Sequence, residues 1–239
     1  IVSKLQLDNP LALKFAGQYT LLNDIQSSIN LAKDAGLTPD KLADIINSNL
    51  DYIDSIKEDL INIFSARLSV KSLDSLLDKV EKLPEQNEKY FSFPLISFKK
   101  VLTENLNRSI ELDKELNATK NTGALKKKLV QNIGGQPQVY EEIKRNKWWL
   151  ELAEVYRLYR EEMHLRGFYD YSDMLVEVIK QIESNPEILA DLQDKYLYVL
   201  IDEFQDTNQA QLKIAQMVAG HHTDEGQPNL MAVGDDDQS

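Results

Sequence analysis

The chain has 239 residues, 42% hydrophobic and 28% charged, which suits one large domain or two modest ones with a real core. No run approaches the roughly 18 consecutive apolar residues of a membrane span, and the absence of cysteine excludes disulfides and thiolate metal sites. The formal net charge of -12 speaks against nucleic-acid binding by the surface as a whole, but the charge is uneven: the C-terminal end is acidic around a single cation, Lys213, whereas Lys120 to Arg160 is rich in Lys and Arg.

The N-terminus, IVSKLQLDNP, has neither the charged n-region nor the apolar h-region of a signal peptide. It also lacks an initiator Met, so a piece of a longer protein or a processed chain is expected. Residues 1 to about 118 read as helices. Apolar residues recur at three- and four-residue steps, as in Leu21, Leu22, Ile25, Ile29 and again in Ile53, Ile56, Leu60, Ile63, Phe64. Thr38-Pro39 starts one helix, with a cap donor and Pro in the first turn. A second, SLDSLLDKVEKL, stops at Pro84, and EQNEKYFSFP reads as a loop. A third is predicted over 95–118, through Leu95, Phe98, Leu102, Leu106 and Ile110.

Around residues 119–138 the texture changes to ATKNTGALKKKLVQNIGGQPQ, punctuated by Gly123, Gly134, Gly135 and Pro137. This predicts a mobile, basic, partly helical connection. A long helix is predicted from about Val139 to Leu165, ended by Gly167; YDYSDMLVEVIKQI enters another, and Pro186 opens a short one.

The final 45 residues change period. YLYVLI (196–201) is a continuous apolar run of strand length, the pattern of a parallel strand buried on both faces. A helix capped by Thr207 or Asn208 follows, with Ala210, Ile214, Met217 and Val218 on one face and Gly220 at its end. NLMAV (229–233) is the second strand. Both strands run into acids, the first into DEFQDTN and the second into GDDDQS.

Open parallel sheets bind ligands outside the carboxyl ends of their strands. Asp202 and Glu203 lie at one such end, and Asp235, Asp236 and Gln238 at the other. Neighbouring residues at a strand end point different ways, which suits two jobs. In phosphoryl transfer one carboxylate holds Mg²⁺ and the next orients or deprotonates water. The bland alternative is that such acids cap the following helix, through Asp206 or Thr207.

DEFQDTN resembles motif II, the Walker B element, of the UvrD/Rep/PcrA-type superfamily 1 DNA helicases. GDDDQS resembles their motif III, and LAEVYRLYREEMHLRGFYDYSDMLVEV is similar to the helix and acidic turn before motif II. The likeness covers residues 148–239, with Asp170 and Asp173 in the acidic turn and Tyr171 where the family favours Phe. It implies a mostly α fold with a small α/β portion. Residues 1–145 would form a helical 1B-like insertion, and residues 146–239 the C-terminal part of a RecA-like, P-loop NTPase-type 1A motor subdomain. The implied cofactors are ATP and Mg²⁺, with Asp202 on the metal, Glu203 as general base, Gln238 sensing the γ-phosphate, and Gln205, Asp206 and Thr207 in support. The implied partner is DNA at a single-strand/duplex junction, with 3′ to 5′ polarity, in the bacterial cytoplasm at the nucleoid and away from membranes.

Of the nine glycines none is followed by Lys, so the chain holds no G-x-x-x-x-G-K-[ST] phosphate cradle. The expectation is a fragment of an ATP-dependent helicase that does not turn over ATP by itself. A helicase–nuclease subunit and a non-catalytic helical interaction module are the alternatives. Lys126, Lys127 and Lys128, with Lys144 and Arg145, are the candidate phosphate contacts. Trp148 and Trp149 beside the latter pair suit base stacking, against the bland reading of a buried stripe with Leu152 and Val155. His221 and His222, without partners of metal-ligand spacing, are not read as a metal site, and Tyr169 and Tyr171 are read as core edge.

Overall fold

The computed structural model describes residues 2, 5, 9–15, 17–87, 97–220 and 229–235. Nine helices carry most of these residues: α1 (Leu22–Asp34), α2 (Pro39–Ser65), α3 (Leu73–Glu81), α4 (Phe98–Glu115), α5 (Lys120–Leu129), α6 (Tyr140–Leu165), α7 (Tyr171–Ser184), α8 (Pro186–Lys195) and α9 (Gln209–Ala219). Three two-stranded sheets complete the described chain: β1 (Lys14–Phe15) with β2 (Gln18–Tyr19), β3 (Gln131–Ile133) with β4 (Gln136–Gln138), and β5 (Val199–Ile201) with β6 (Leu230–Ala232). The mostly α architecture with a small α/β part is therefore as expected. The expected loop at 85–94 falls largely outside the described residues, as do His221 and His222.

The chain forms two compact units, one of residues 40–153 and one of residues 1–39 with 154–239. This division differs from a cut at residue 145. The first 39 residues belong with the C-terminal unit, and the second boundary lies inside α6. Helical periodicity reveals that α1 has an apolar face but not which partner receives it.

In the unit of residues 40–153, α2 runs 27 residues, about 40 Å at 1.5 Å per residue. Its stripe of Ile53, Ile56, Leu60 and Phe64 is fully buried, together with Leu73 and Val80 of the α3 segment. α4 brings Phe98, Leu102, Leu106 and Ile110 at four-residue steps onto the same cluster. The segment 119–138 is not a loose connection. It is α5 followed by a two-residue hairpin in which Gly134 and Gly135 both take positive φ, 61° and 85°. That is the turn whose twist matches paired strands, and it favours glycine at both positions.

In the other unit α1 packs on α7 and α9, and α9 packs on β5 and β6. Ile25, Ile29, Tyr156, Val176, Ile179 and Ala210 fill its interior. β5 and β6 are parallel, pairing Val199 with Leu230, Leu200 with Met231 and Ile201 with Ala232. The strand is shorter than YLYVLI and is not buried on both faces: Val199 and Ile201 are half-buried, but Leu200 is 74% exposed. Tyr198, Met231 and Val233 are exposed too. Within the described residues α9 packs on the pair, and no other helix makes a comparable contact with it.

Candidate functional site

The parallel pairing of β5 and β6 brings the starts of the two acidic segments together. The pairing runs past the strands, because the Val233 N–H donates to Ile201 O (2.8 Å) and the Phe204 N–H to Val233 O (2.9 Å). Asp202 and Glu203 follow β5 directly, both exposed. Glu203 sits in the left-handed region, φ 50° and ψ 49°, a conformation that costs a non-glycine residue roughly 1 kcal/mol or more. That twist turns the chain into a short 3-10 turn, Phe204–Asp206, closed by Asp206 N–H to Glu203 O (2.9 Å). The Asp202 carboxylate accepts the Glu203 N–H at 3.0 Å.

Gln205 ties the two strand ends. Its Nε2 donates to Glu203 Oε2 at 2.6 Å, and its Oε1 accepts the Asp235 N–H at 3.0 Å. Gly234 makes room for it: a Cβ there would lie 2.7 Å from Gln205 Oε1. Gln238 lies outside the described residues, so the structure brings together Asp202, Glu203, Gln205 and Asp206 but says nothing of Gln238. The helix cap is neither Asp206 nor Thr207. Asn208 caps α9, accepting the Gln211 N–H (2.9 Å), while Gln211 Oε1 accepts the Asn208 N–H (3.0 Å).

The acidic turn contains a partner that motif reasoning missed. Asp170 caps α7 by accepting the Asp173 N–H (2.8 Å). Fully buried Lys33 lies 2.7 Å from Asp170 Oδ2 and 2.7 Å from Asp173 Oδ1, with its Nζ 4.7 Å from the Tyr159 ring centre. Burial alone would lower the Lys33 ammonium, but the two carboxylates outweigh it and raise its pKa. Burial likewise works to raise the Asp170 carboxyl, and the Lys33 hydrogen bond reverses that, holding it below the usual range. Next in sequence, Asp34 accepts from Ser172 Oγ (3.1 Å) and, at 3.5 Å, from the capping Asn208 Nδ2. The end of α1 thus touches the starts of both α7 and α9. The signal lay in the period: Lys33 stands four residues after Ile29 and eight after Ile25, on the buried face.

In the unit of residues 40–153 the candidate cations divide. Lys126 is engaged, donating to Ala66 O (2.6 Å) just past the end of α2. Lys127 and Lys128 are exposed, in a stretch between Glu115 and Glu141 that holds four lysines and no acid. Arg145 pairs with Glu142, and Lys144 lies 5.7 Å from the Tyr140 ring centre. Trp148 and Trp149 pack edge to face, 5.3 Å between centroids, and both are half-buried while Leu152 and Val155 are buried.

The model of the UvrD/REP helicase N-terminal domain matches residues 42–239. The chain belongs to that family. Its curated relatives include the "DNA helicase II" of Haemophilus influenzae, 38% identical over 89 residues, which are 37% of this chain and 12% of that protein. The "ATP-dependent DNA helicase PcrA" of Leuconostoc citreum is 36% identical over 104 residues, 44% of this chain and 13% of that protein. The protein of the same name from Staphylococcus aureus is 35% identical over 88 residues, 37% and 11% of the two chains. The matched stretch thus spans about an eighth of the length of these relatives. No solved structure matches significantly.

Proposed function

We propose that this UvrD/REP-family chain is part of the ATP-driven motor of a DNA helicase, with 3′ to 5′ polarity and a cytoplasmic setting. The observation that carries the reading is the joined pair of strand ends, where Asp202 and Glu203 stand exposed after β5 and Gln205 reaches the backbone of Asp235 after β6. In this reading the C-terminal unit is a portion of a RecA-like motor subdomain, and the helical unit is its 1B-type insertion.

Among the described residues no group of three or more His or acidic side chains stands ready to hold a metal. That suits Mg²⁺ delivered with a nucleotide, which takes one or two protein carboxylates and completes its shell with phosphate and water. Asp202 would be the protein ligand, and bound Mg²⁺ would neutralise charge on the phosphates. Glu203 would orient a water molecule and accept one of its protons at a carboxylate oxygen as the water oxygen bonds to the terminal phosphorus and the bond from that phosphorus to the β–γ bridging oxygen breaks, its electron pair leaving with ADP. Gln238 would sense that phosphate, with Asp206 and Thr207 in support. Lys127 and Lys128, with Lys126, Lys144 and Arg145 nearer their protein partners, would face the phosphates of duplex DNA at the junction. The chain contains no phosphate cradle, so by itself it would not turn over ATP. Among the described residues no helix is long and apolar enough to cross a membrane.

The test is Glu203→Gln in the full-length parent helicase. DNA-stimulated ATP turnover should be abolished while binding of a fluorescent ATP analogue persists. Turnover at the normal rate would refute Glu203 as the base.

A further inference from the structure

We infer that Gln205 is the positioning residue of Glu203, fixing it to the end of the neighbouring strand, rather than a nucleotide ligand. The inference rests on the reading of Glu203 as general base. The geometry demands a side chain that donates at one end and accepts at the other. Nε2 gives a hydrogen to Glu203 Oε2 at 2.6 Å, and Oε1 takes the Asp235 N–H at 3.0 Å. A side-chain amide offers both in one short planar group. A glutamate here would set a second carboxylate against Glu203, a lysine could not accept, and an asparagine is one methylene shorter. With both ends engaged, the half-buried amide has its strongest interactions already committed within the protein.

Two further features support the bridge. Glu203 stands in a left-handed backbone conformation, so its side chain leaves the chain at an angle that β5 does not set. Something else must hold the carboxylate, and among the described residues Gln205 is the side chain hydrogen-bonded to it. Gly234 leaves the space that the bridge occupies: an added Cβ would fall 2.7 Å from Gln205 Oε1, 3.1 Å from Phe204 Cβ and 3.2 Å from the Gln205 N. The bridge has a functional corollary. Asp235 stands at the start of the DDDQS run, so a shift of that segment would pull on Oε1 and, through the rigid amide, move the Glu203 carboxylate. Base placement is thereby coupled to the second strand end.

The experiment uses the full-length parent. Gln205→Leu removes both hydrogen bonds at nearly constant volume, and Gly234→Ala displaces the amide while keeping it. Both should lower the kcat for DNA-stimulated ATP hydrolysis by about 10- to 100-fold, the usual effect of misplacing a reacting group. KM for ATP and the affinity for a fluorescent ATP analogue should stay within about twofold, the division expected when only transition-state positioning is lost. In single-turnover measurements long enough to read the residual rate of Glu203→Gln, adding Gln205→Leu should leave that residual rate unchanged, because its action passes through that carboxylate. A parallel loss of nucleotide affinity, an unchanged kcat, or fully multiplicative effects of the two substitutions would overturn the inference while leaving Glu203 as the base. Normal turnover in Glu203→Gln alone would overturn both.

Discussion

Lys33→Met tests whether the buried ion cluster holds the C-terminal unit together. Methionine keeps the volume of the aliphatic stem, so little cavity cost is expected, and the change isolates the charge. It leaves two carboxylates that both lay 2.7 Å from the ammonium without a cation. Breaking a buried pair by removing one partner costs about 3–5 kcal/mol. The Asp173 side chain is 6% exposed and bears that penalty, whereas Asp170 is 40% exposed and can recover solvation, so its share is discounted. The expected loss at pH 7 is about 3 kcal/mol. The pH dependence follows from the directions of the shifts. Asp170 is held low when folded, so its contribution is present above about pH 4 and is lost as pH falls through the folded value. Lys33 is raised when folded, so its contribution is present below about pH 10 and is lost only as pH rises through the higher folded value. The wild-type cluster therefore stabilises across the whole interval between. In Lys33→Met the Asp170 carboxylate loses the cation that held it low, its protonation relieves the imbalance, and the deficit should shrink between pH 7 and about pH 4. Urea unfolding followed by far-UV circular dichroism at both pH values, with hydrogen exchange of the α7 amides, measures this. A deficit below about 1 kcal/mol at pH 7, far under the cost of breaking a buried pair, or one equal at both pH values, would refute the reasoning.

Asp113→Ala should cost about 1–3 kcal/mol in denaturant unfolding, because the fully buried carboxylate accepts both the Asn121 and Thr122 N–H groups at 2.9 and 2.8 Å. Burial pushes the Asp113 carboxyl up, but these bonds outweigh it and hold it low, so the deficit should fade as pH drops below about 4. Gly36→Ala should lower the melting temperature more than Gly17→Ala: both glycines are left-handed, at φ +68° and +82°, but only at Gly36 would the Cβ meet Ile179 Cδ1, at 2.9 Å. Replacing Lys127 and Lys128 together with Glu in the parent should weaken duplex DNA binding and flatten its logarithmic salt dependence by about 2. Fluorescence anisotropy across a salt series reads this, and an unaltered slope would count against the basic helix as a DNA contact.

The elements with strong periodicity were legible from the sequence. α2, α4 and α6 stand nearly where the three- and four-residue apolar steps put them, and Pro39 and Pro186 open the helices they were expected to open. The strand–helix–strand unit was legible too, because its apolar runs and acidic ends are contiguous. Other features were not, among them the β1–β2 hairpin in a stretch read as helical. The β3–β4 hairpin was hidden because Gly-Gly reads equally as a flexible break or a two-residue turn, and only its flanking pairing decides. Burial of YLYVLI was over-read, since an apolar strand states what it can tolerate and not what covers it. The grouping of residues 1–39 with the C-terminal unit depends on contacts over more than 130 residues, such as Ser172 with Asp34, which no local pattern encodes.

Lys33 and Asp113 obey one rule, and it explains why both escaped a motif-based reading. Each stands at or near the end of a helix whose buried stripe it continues: Lys33 after Ile25 and Ile29, Asp113 after Leu102, Leu106 and Ile110. A charge in that position is costly unless matched, and each is matched at the start of another helix. Asp113 caps α5 directly through two backbone N–H groups. Lys33 grips Asp170, itself the cap of α7, while its neighbour Asp34 reaches Ser172 and the α9 cap, Asn208. Helix starts carry unpaired N–H groups and partial positive charge, so an acid satisfies them directly, while a cation must act through an acidic cap. A charged residue in phase with an apolar stripe near a helix end is thus a readable docking signal, naming the chemistry of the partner although not its place in the sequence. In this chain that signal leads from α1 to the N-terminus of α9, three residues beyond the Gln205 bridge.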